Sequence, residues 1–234
     1  GMKRPIEEHA ERFSEAAGSY DDEQDSPEYL ACADLVVEHA APGPDDVVLD
    51  IGTGTGAIAL ALAPSAGRVV GRDISAGMLE EARSKAAAAG IENVEFGEGR
   101  FRDLDYDARV DTESSETPQA DARDTRVDIV TSNFAMHHLS DAEKREAIGV
   151  IADLNPRRFV LGDVMFFGEP DPSEPFYDPA VDDPATVGTL VDALTDEGFV
   201  LVAVERVHDQ VGVLVAERFG EGSERVEVVG AGAE

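Results

Sequence analysis

Short apolar runs alternate along the middle of the chain with longer segments whose apolar residues recur at helical spacing. Such runs are typical of strands buried on both faces of a sheet. They lie at Val47–Ile51, Arg68–Asp73, Val94–Phe96, Val127–Ser132, Arg158–Leu161, Phe199–Val207 and Val211–Val215, and helices are predicted at Ala57–Ala63, Ser75–Ala89, Ser140–Ala152 and Thr186–Glu197. This alternation predicts a doubly wound, mostly parallel α/β sheet of seven strands, and the last two runs predict a C-terminal antiparallel hairpin.

The pattern divides the chain into three predicted parts. Residues 1–44 are expected to form an N-terminal helical cap, 45–219 the sheet domain and 220–234 a flexible tail. The cap contains an amphipathic helix over Ile6–Gly18 and a second helix that begins at Pro27, directly after a serine suited to be its N-cap.

Two segments interrupt the alternation within the sheet domain. Residues 105–124 are rich in acids and poor in bulky apolar side chains, which predicts a solvated, mobile insertion. Residues 164–184 combine prolines with four aromatic residues. We expect this second segment to be either a lid that walls a pocket or a surface connection that packs on its own aromatics.

The net charge of the chain disfavours some classes of function. The chain has 19 basic and 50 acidic residues, a net charge of −31, which repels phosphate backbones and makes nucleic-acid substrates unexpected. An acidic surface with only three lysines is typical of proteins from salt-loving archaea, and an acidic bacterial protein is the alternative. No apolar run reaches ~18 residues, so no membrane helix is expected. Without a secretory pattern, the chain is interpreted as cytoplasmic, and its oligomeric state is not indicated.

A glycine-rich turn, DIGTGTG at Asp50–Gly56, follows the first predicted strand. Its spacing departs from the dinucleotide pattern, because Ala57 stands where the last glycine is required. Asp73 ends the next strand, and a doubly wound sheet places its carboxylate beside the turn, where it can accept both hydroxyls of a ribose. The alternative is a charge that stabilises the helix beginning near Ser75.

The segments that carry these features are VVLDIGTGTG, GRDISAGM, NVEFGEGRFRDL, VDIVTSNFAMHHLSD and DLNPRRFVLGD, at Val47–Gly56, Gly71–Met78, Asn93–Leu104, Val127–Asp141 and Asp153–Asp163. In order and spacing they resemble the class I S-adenosylmethionine-dependent methyltransferases. The NFAMHHL stretch is similar to the small-molecule enzymes of the ubiquinone/menaquinone-biosynthesis type. The resemblance implies a Rossmann-like fold, S-adenosyl-L-methionine as cofactor, a small-molecule methyl acceptor and S-adenosyl-L-homocysteine as product.

The resemblance also implies roles for particular residues. The cofactor would be bound by Tyr20, Asp50, Gly52, Thr53, Gly54, Gly56, Asp73, Ile74, Met78, Arg100, Phe101, Asn133 and Phe134. Tyr20 would close over the site, and Asn133 would position the reacting groups. Relatives often have an acid where Arg100 stands, and arginine cannot accept a hydrogen bond. Adenine would then bond to the backbone and pack on Phe101, or Asp103 would reach it.

Two adjacent histidines, His137 and His138, follow the fourth predicted strand. Imidazole titrates near neutrality, and His138 is by motif position the better candidate for a general base. The alternative is a loop pair that bonds to the backbone. No third ligand stands at a recognisable spacing, so no metal site is expected. Cys32, the only cysteine, is expected to be a small buried apolar residue.

Two other functions remain open. One is a dinucleotide-dependent oxidoreductase on a similar sheet, which Ala57 disfavours. The other is a non-catalytic module with a methyltransferase fold that binds the cofactor or a protein partner, which Arg100 favours. Binding of S-adenosylmethionine or of NAD would separate the first from methyl transfer.

Overall fold

The computed structural model describes residues 26–104, 126–170, 173 and 175–218. The predicted helix at Ile6–Gly18, Tyr20, the acidic insertion and the C-terminal tail lie outside the described residues. The elements in chain order are α1 (Pro27–Ala40), β1 (Val47–Ile51), α2 (Ala57–Leu62), β2 (Arg68–Asp73), α3 (Ala76–Ala89), β3 (Val94–Glu98), β4 (Ile129–Asn133), a 3₁₀ turn (Met136–His138), α4 (Asp141–Asp153), β5 (Arg158–Phe166), β6 (Ala185–Thr186), α5 (Val187–Asp196), β7 (Val200–His208) and β8 (Val211–Glu217).

The strands form one mixed sheet in the order β3-β2-β1-β4-β5-β8-β7, with β6 paired to the end of β5. Strands β1 to β5 pair in parallel, whereas β8 is antiparallel to both β5 and β7. The doubly wound, mostly parallel sheet with a closing hairpin is therefore confirmed. The parallel strands all present their carboxyl ends at one edge, which is where such sheets bind ligands.

Two details differ from the expectation of seven strands. Residues 185–186 form an eighth strand, β6, which is too short to show any periodicity. Strand β5 continues to Phe166, although the sequence placed its end at Leu161. Gly162 and Asp163 interrupt the apolar run there, yet both are buried in the sheet. The first residues of the predicted lid, 164–166, thus belong to β5.

Helix starts follow the capping residues that the sequence offers. The hydroxyls of Ser26, Ser75, Ser140 and Thr186 each accept a hydrogen bond from a backbone N–H of the first turn that follows. At Ser140 the bond is reciprocated by Glu143, which completes a capping box. Such local signals explain why these predicted helix starts match the structure closely.

Two hydrophobic layers cover the faces of the sheet. Helices α1 and α2 pack on one face, where Cys32, Val36 and Ala40 are fully buried. Helices α4 and α5 pack on the other, around Ile148 and Leu194. Helix α1 contacts β4, β5 and β8, so residues 27–40 are a structural layer of the sheet domain. Among the described helices, none is both long and apolar enough to cross a membrane.

Cys32 is expected to resist thiol reagents in the folded protein. Its side chain is fully buried beneath the sheet, and burial together with the nearby charge of Asp163 raises the pKa of the thiol. Labelling with a chromogenic disulfide should be negligible under native conditions and should reach one equivalent after unfolding in urea, since the chain has one cysteine. Rapid labelling of the native protein would contradict this packing of α1.

An ion pair between Asp46 and Arg157 joins the segment before β1 to the segment before β5. The guanidinium donates to both carboxylate oxygens at 2.6 and 2.7 Å, which together with the Gly43 N–H lowers the pKa of Asp46. A lowered carboxyl pKa stabilises the fold above the unfolded value and is lost as the pH falls through the folded value. Asp46→Asn should therefore reduce the free energy of unfolding by about 1 kcal/mol at pH 7. Urea unfolding at fixed salt should show that difference shrinking near pH 3, and a difference that persists there would contradict it.

Candidate active site

The turn after β1 folds back on the end of β2. The N–H of Gly52 donates to the carbonyl oxygen of Arg72 at 2.8 Å. Gly52 has a φ of 71°, and a Cβ there would lie 2.3 Å from the Cβ of Ala135, so this position requires glycine. Positive φ angles recur at Gly54 (57°) and Gly56 (88°). The glycines thus let the turn approach the segment after β4 closely.

Asp50 connects this turn to the neighbouring strand. Its carboxylate is buried and accepts hydrogen bonds from the hydroxyls of Thr53 at 2.7 Å and Thr131 at 2.8 Å. Burial raises the pKa of Asp50 to about 6, the two hydroxyl donors oppose that shift, and the charge of Asp73 adds to it. Asp50 therefore holds β1, its turn and β4 in one arrangement.

Asp73 lies where the sequence placed it, beside the glycine turn. One carboxylate oxygen accepts from the N–H of Gly54 at 2.8 Å, and the other accepts from the N–H of Ser75 at 2.9 Å. Burial raises the pKa of Asp73, and these backbone donors partly offset the shift. Asp73 thus fixes the turn after β1 to the start of α3.

A cleft opens at the carboxyl edge of the sheet beside the turn. It is lined by Tyr29, Asp50, Gly52, Thr53, Thr55, Ala57, Ile58 and Asn133. The structure therefore brings four predicted residues into one lining. Tyr29 was missed, although it stands in the first turn of a helix whose start the serine and proline before it had indicated.

Asn133 ends β4 and faces this cleft. Its Oδ1 lies 3.5 Å from the Cys32 thiol, and its Nδ2 is buried with no hydrogen-bond partner among the described residues. A buried amide without a partner costs about 1–3 kcal/mol. The free donor therefore fits a ligand that carries a hydrogen-bond acceptor.

Phe134 turns the chain sharply after β4. Its φ of 55° lies in the left-handed region, which is strained for a bulky residue and recurs at functional sites. The conformation is held by a 2.9 Å hydrogen bond from its N–H to the carbonyl of Gly162. The ring lies 5.0 Å from that of Tyr29 and 6.2 Å from that of His137, so aromatic groups border the cleft.

The residues predicted to surround adenine do not line the cleft. Met78 is buried in the first turn of α3, Ile74 is half-buried, and Phe101 packs against the core. Arg100 is exposed, and its backbone forms a tight turn with that of Asp103, with hydrogen bonds of 2.8 and 3.0 Å. None of these residues lines the cleft, so their contacts with adenine stay predictions.

Two carboxylates flank the histidine pair. Asp163 Oδ1 lies 2.7 Å from His137 Nδ1, and Asp182 Oδ1 lies 2.6 Å from His138 Nδ1. The expectation that no metal binds here stays a prediction, but the fold does bring a third candidate ligand, Asp182, to the histidines from 44 residues downstream. Sequence spacing could not show a contact between two segments joined only by folding.

The surroundings also set the charges of these groups. Burial lowers the pKa of His138 to about 4, helped by the charge of His137 and opposed by Asp182. Burial lowers the pKa of His137 as well, but Asp163 and Asp182 outweigh it and the net shift is upward. Burial raises the pKa of Asp182, and the two histidines reverse that and bring it to about 2. His138 is therefore neutral at pH 7, with a carboxylate that orients its ring.

Known proteins are similar to this chain in sequence. Residues 48–155 match the family model described as a methyltransferase domain. Over 153 residues, 64% of this chain and 53% of the relative, the chain is 33% identical to the uncharacterized methyltransferase YcgJ of Bacillus subtilis. The match thus spans about half the length of that relative.

Solved structures share the fold at low identity. A SAM dependent methyltransferase from Aquifex aeolicus superposes with a TM-score of 0.59 at 18% identity, over 85% of this chain and 96% of that one. A DhpI–SAH complex superposes with a TM-score of 0.65 at 20% identity, over 91% of this chain and 96% of that one.

These comparisons establish the fold and a similarity in sequence. Residues 48–155 are similar to a methyltransferase domain, and the described sheet has the mixed α/β, Rossmann-like fold of solved SAM-dependent methyltransferases.

Proposed function

We propose that the protein transfers the methyl group of S-adenosylmethionine to a small-molecule acceptor. The observation that carries this proposal is the cleft between the glycine turn and Asn133. The buried Nδ2 of Asn133 has no hydrogen-bond acceptor among the described residues. When bound, the cofactor supplies a methyl group on a sulfonium, which needs alignment and exclusion of water more than acid or base catalysis.

The chain's own residues suit that task. Gly52, Gly54 and Gly56 let the backbone approach the ligand, and Asp73 offers a charged acceptor for ribose hydroxyls. Asn133 would orient the methionyl end. Tyr29 and Phe134, with rings 5.0 Å apart, would shield the reacting atoms from water. Tyr20 and the general-base role of His138 stay predictions.

Several observations support the finer assignment. The net charge of −31 opposes nucleic-acid substrates at low salt, and Ser132–Ala135 lacks the Asn/Asp-Pro-Pro-Tyr pattern of enzymes that methylate base amino groups. We place the protein beside the ubiquinone/menaquinone-biosynthesis enzymes on its NFAMHHL stretch. The lysine-poor, acidic composition supports a salt-adapted origin, with an acidic bacterial protein as the alternative.

Calorimetric titration in molar potassium chloride tests the proposal. We expect micromolar binding of S-adenosylmethionine and of S-adenosylhomocysteine, and no binding of NAD. Binding of NAD alone would favour the oxidoreductase instead. Cofactor binding without release of S-adenosylhomocysteine across a broad panel of acceptors would favour the non-catalytic module.

A further inference from the structure

Three metal-ligating side chains converge beside the candidate site from two separate segments. One ligand atom each of His137, His138 and Asp182 lies within 4.8 Å of the other two, and their side chains are 9%, 16% and 4% exposed. We propose that these three residues bind a divalent transition-metal ion of the zinc type. The inference does not depend on the proposed methyl transfer.

The carboxylates on either side of His137 support a cation between its ring and Asp182. Asp163 accepts hydrogen bonds from the backbone N–H groups of Met136 at 2.8 Å and Val164 at 2.7 Å, and from His137 Nδ1. His137 Nε2 faces Asp182 Oδ2 at 3.7 Å. Against the effect of burial, the two aspartates raise the pKa of His137 and so favour a proton on Nε2, and a metal ion bound between Nε2 and Oδ2 would take the place of that proton.

In this arrangement Asp163 would accept a hydrogen bond from a metal-binding histidine without binding the metal itself. Metal-binding histidines usually donate their second ring N–H to a carboxylate, which fixes the ring and raises its basicity. Asp163 does this for His137 at 2.7 Å.

The spacing and the donor set fit zinc. Ligands about 2.1 Å from a tetrahedral ion stand about 3.4 Å apart, close to the 3.7 Å between His137 Nε2 and Asp182 Oδ2. His138 Nδ1 and Asp182 Oδ1 are 2.6 Å apart, so metal binding would replace their hydrogen bond and separate them. Two imidazoles and one carboxylate leave one position open, as in catalytic zinc sites.

Cobalt(II) titration of the full chain tests the site. In molar potassium chloride, which screens loose binding by the acidic surface, we expect a single equivalent of cobalt to give the intense visible absorption of four-coordinate cobalt. Zinc should displace it. His138→Gln and Asp182→Asn should abolish the absorption, and Asp163→Asn should weaken binding 10–100-fold. His39→Gln is the matched control, because His39 also lies beside a carboxylate, at 3.4 Å from Glu205.

Circular dichroism checks that each variant is folded. Asp182 also accepts from the N–H of Asp178 at 2.8 Å, so Asp182→Asn can disturb its segment. His138→Gln, at the most exposed ligand, is then the deciding variant. Only the weak spectrum of octahedral cobalt in the unmodified protein, or an unchanged intense spectrum in His138→Gln, would overturn the proposal.

Discussion

Asp73→Asn is expected to weaken the binding of S-adenosylhomocysteine about thirtyfold, a loss of about 2 kcal/mol. Both carboxylate oxygens of Asp73 already hold backbone N–H groups, those of Gly54 and Ser75. An asparagine has one carbonyl oxygen, so its amide would meet one of these donors and leave it without an acceptor. The variant would also remove the charged acceptor that we assign to the ribose hydroxyls.

Calorimetry with folded protein measures this effect. Glu95→Gln is the matched control, since it removes one negative charge from the neighbouring strand β3 at an exposed carboxylate whose partner is Arg68. It should bind as tightly as the unmodified protein. Equal affinity in Asp73→Asn would remove Asp73 from the cofactor site, while equal losses in both variants would indicate a general effect of charge.

Gly52→Ala is expected to lower the free energy of unfolding by about 3 kcal/mol. Two independent causes contribute. The residue has a φ of 71°, which is strained for any side chain, and the new Cβ would lie 2.3 Å from that of Ala135. Urea unfolding followed by circular dichroism gives the difference directly.

A second substitution separates these two causes. Ala135→Gly removes the atom with which the new Cβ collides, so the double variant should recover part of the loss and retain the part due to backbone strain. The single variant Ala135→Gly supplies the reference for the double-mutant cycle. A double variant no more stable than Gly52→Ala would show that the contact across the two segments contributes nothing.

Most of the sheet was predictable because β1, β2, β4, β5 and β8 are buried on both faces and therefore appear as largely apolar runs. The prediction of β5 failed where a residue is buried without being strongly hydrophobic. Gly162 lies where a Cβ would come within 2.9 Å of Cys32, Val36 and Asn133, so a glycine was read as an end of β5 when it is a point of close packing. Strand β6 has two residues, too few for any pattern.

Some residues of the site could also be predicted from the sequence and others could not. The residues of the glycine turn and Asp73 follow consecutive strands, and the topology alone places them together. Tyr29 and Asp182 reach the site from α1 and from the segment before β6. Their positions depend on how α1 packs and on where the connection between β5 and β6 returns to the sheet. The hydrophobic periodicity of a single sequence indicates neither.

The lining of the cleft thus has two origins along the chain. One wall, with the glycine turn, is encoded by a single short stretch, whereas Tyr29 and Asn133 on the lining come from distant stretches. Substitutions at Tyr29 or Asn133 can therefore change that part of the lining without changing the glycine turn. In the proposed methyltransferase, a change at Tyr29 would alter the border of the reacting atoms, whereas a change at Asn133 would also affect the methionyl end of the cofactor.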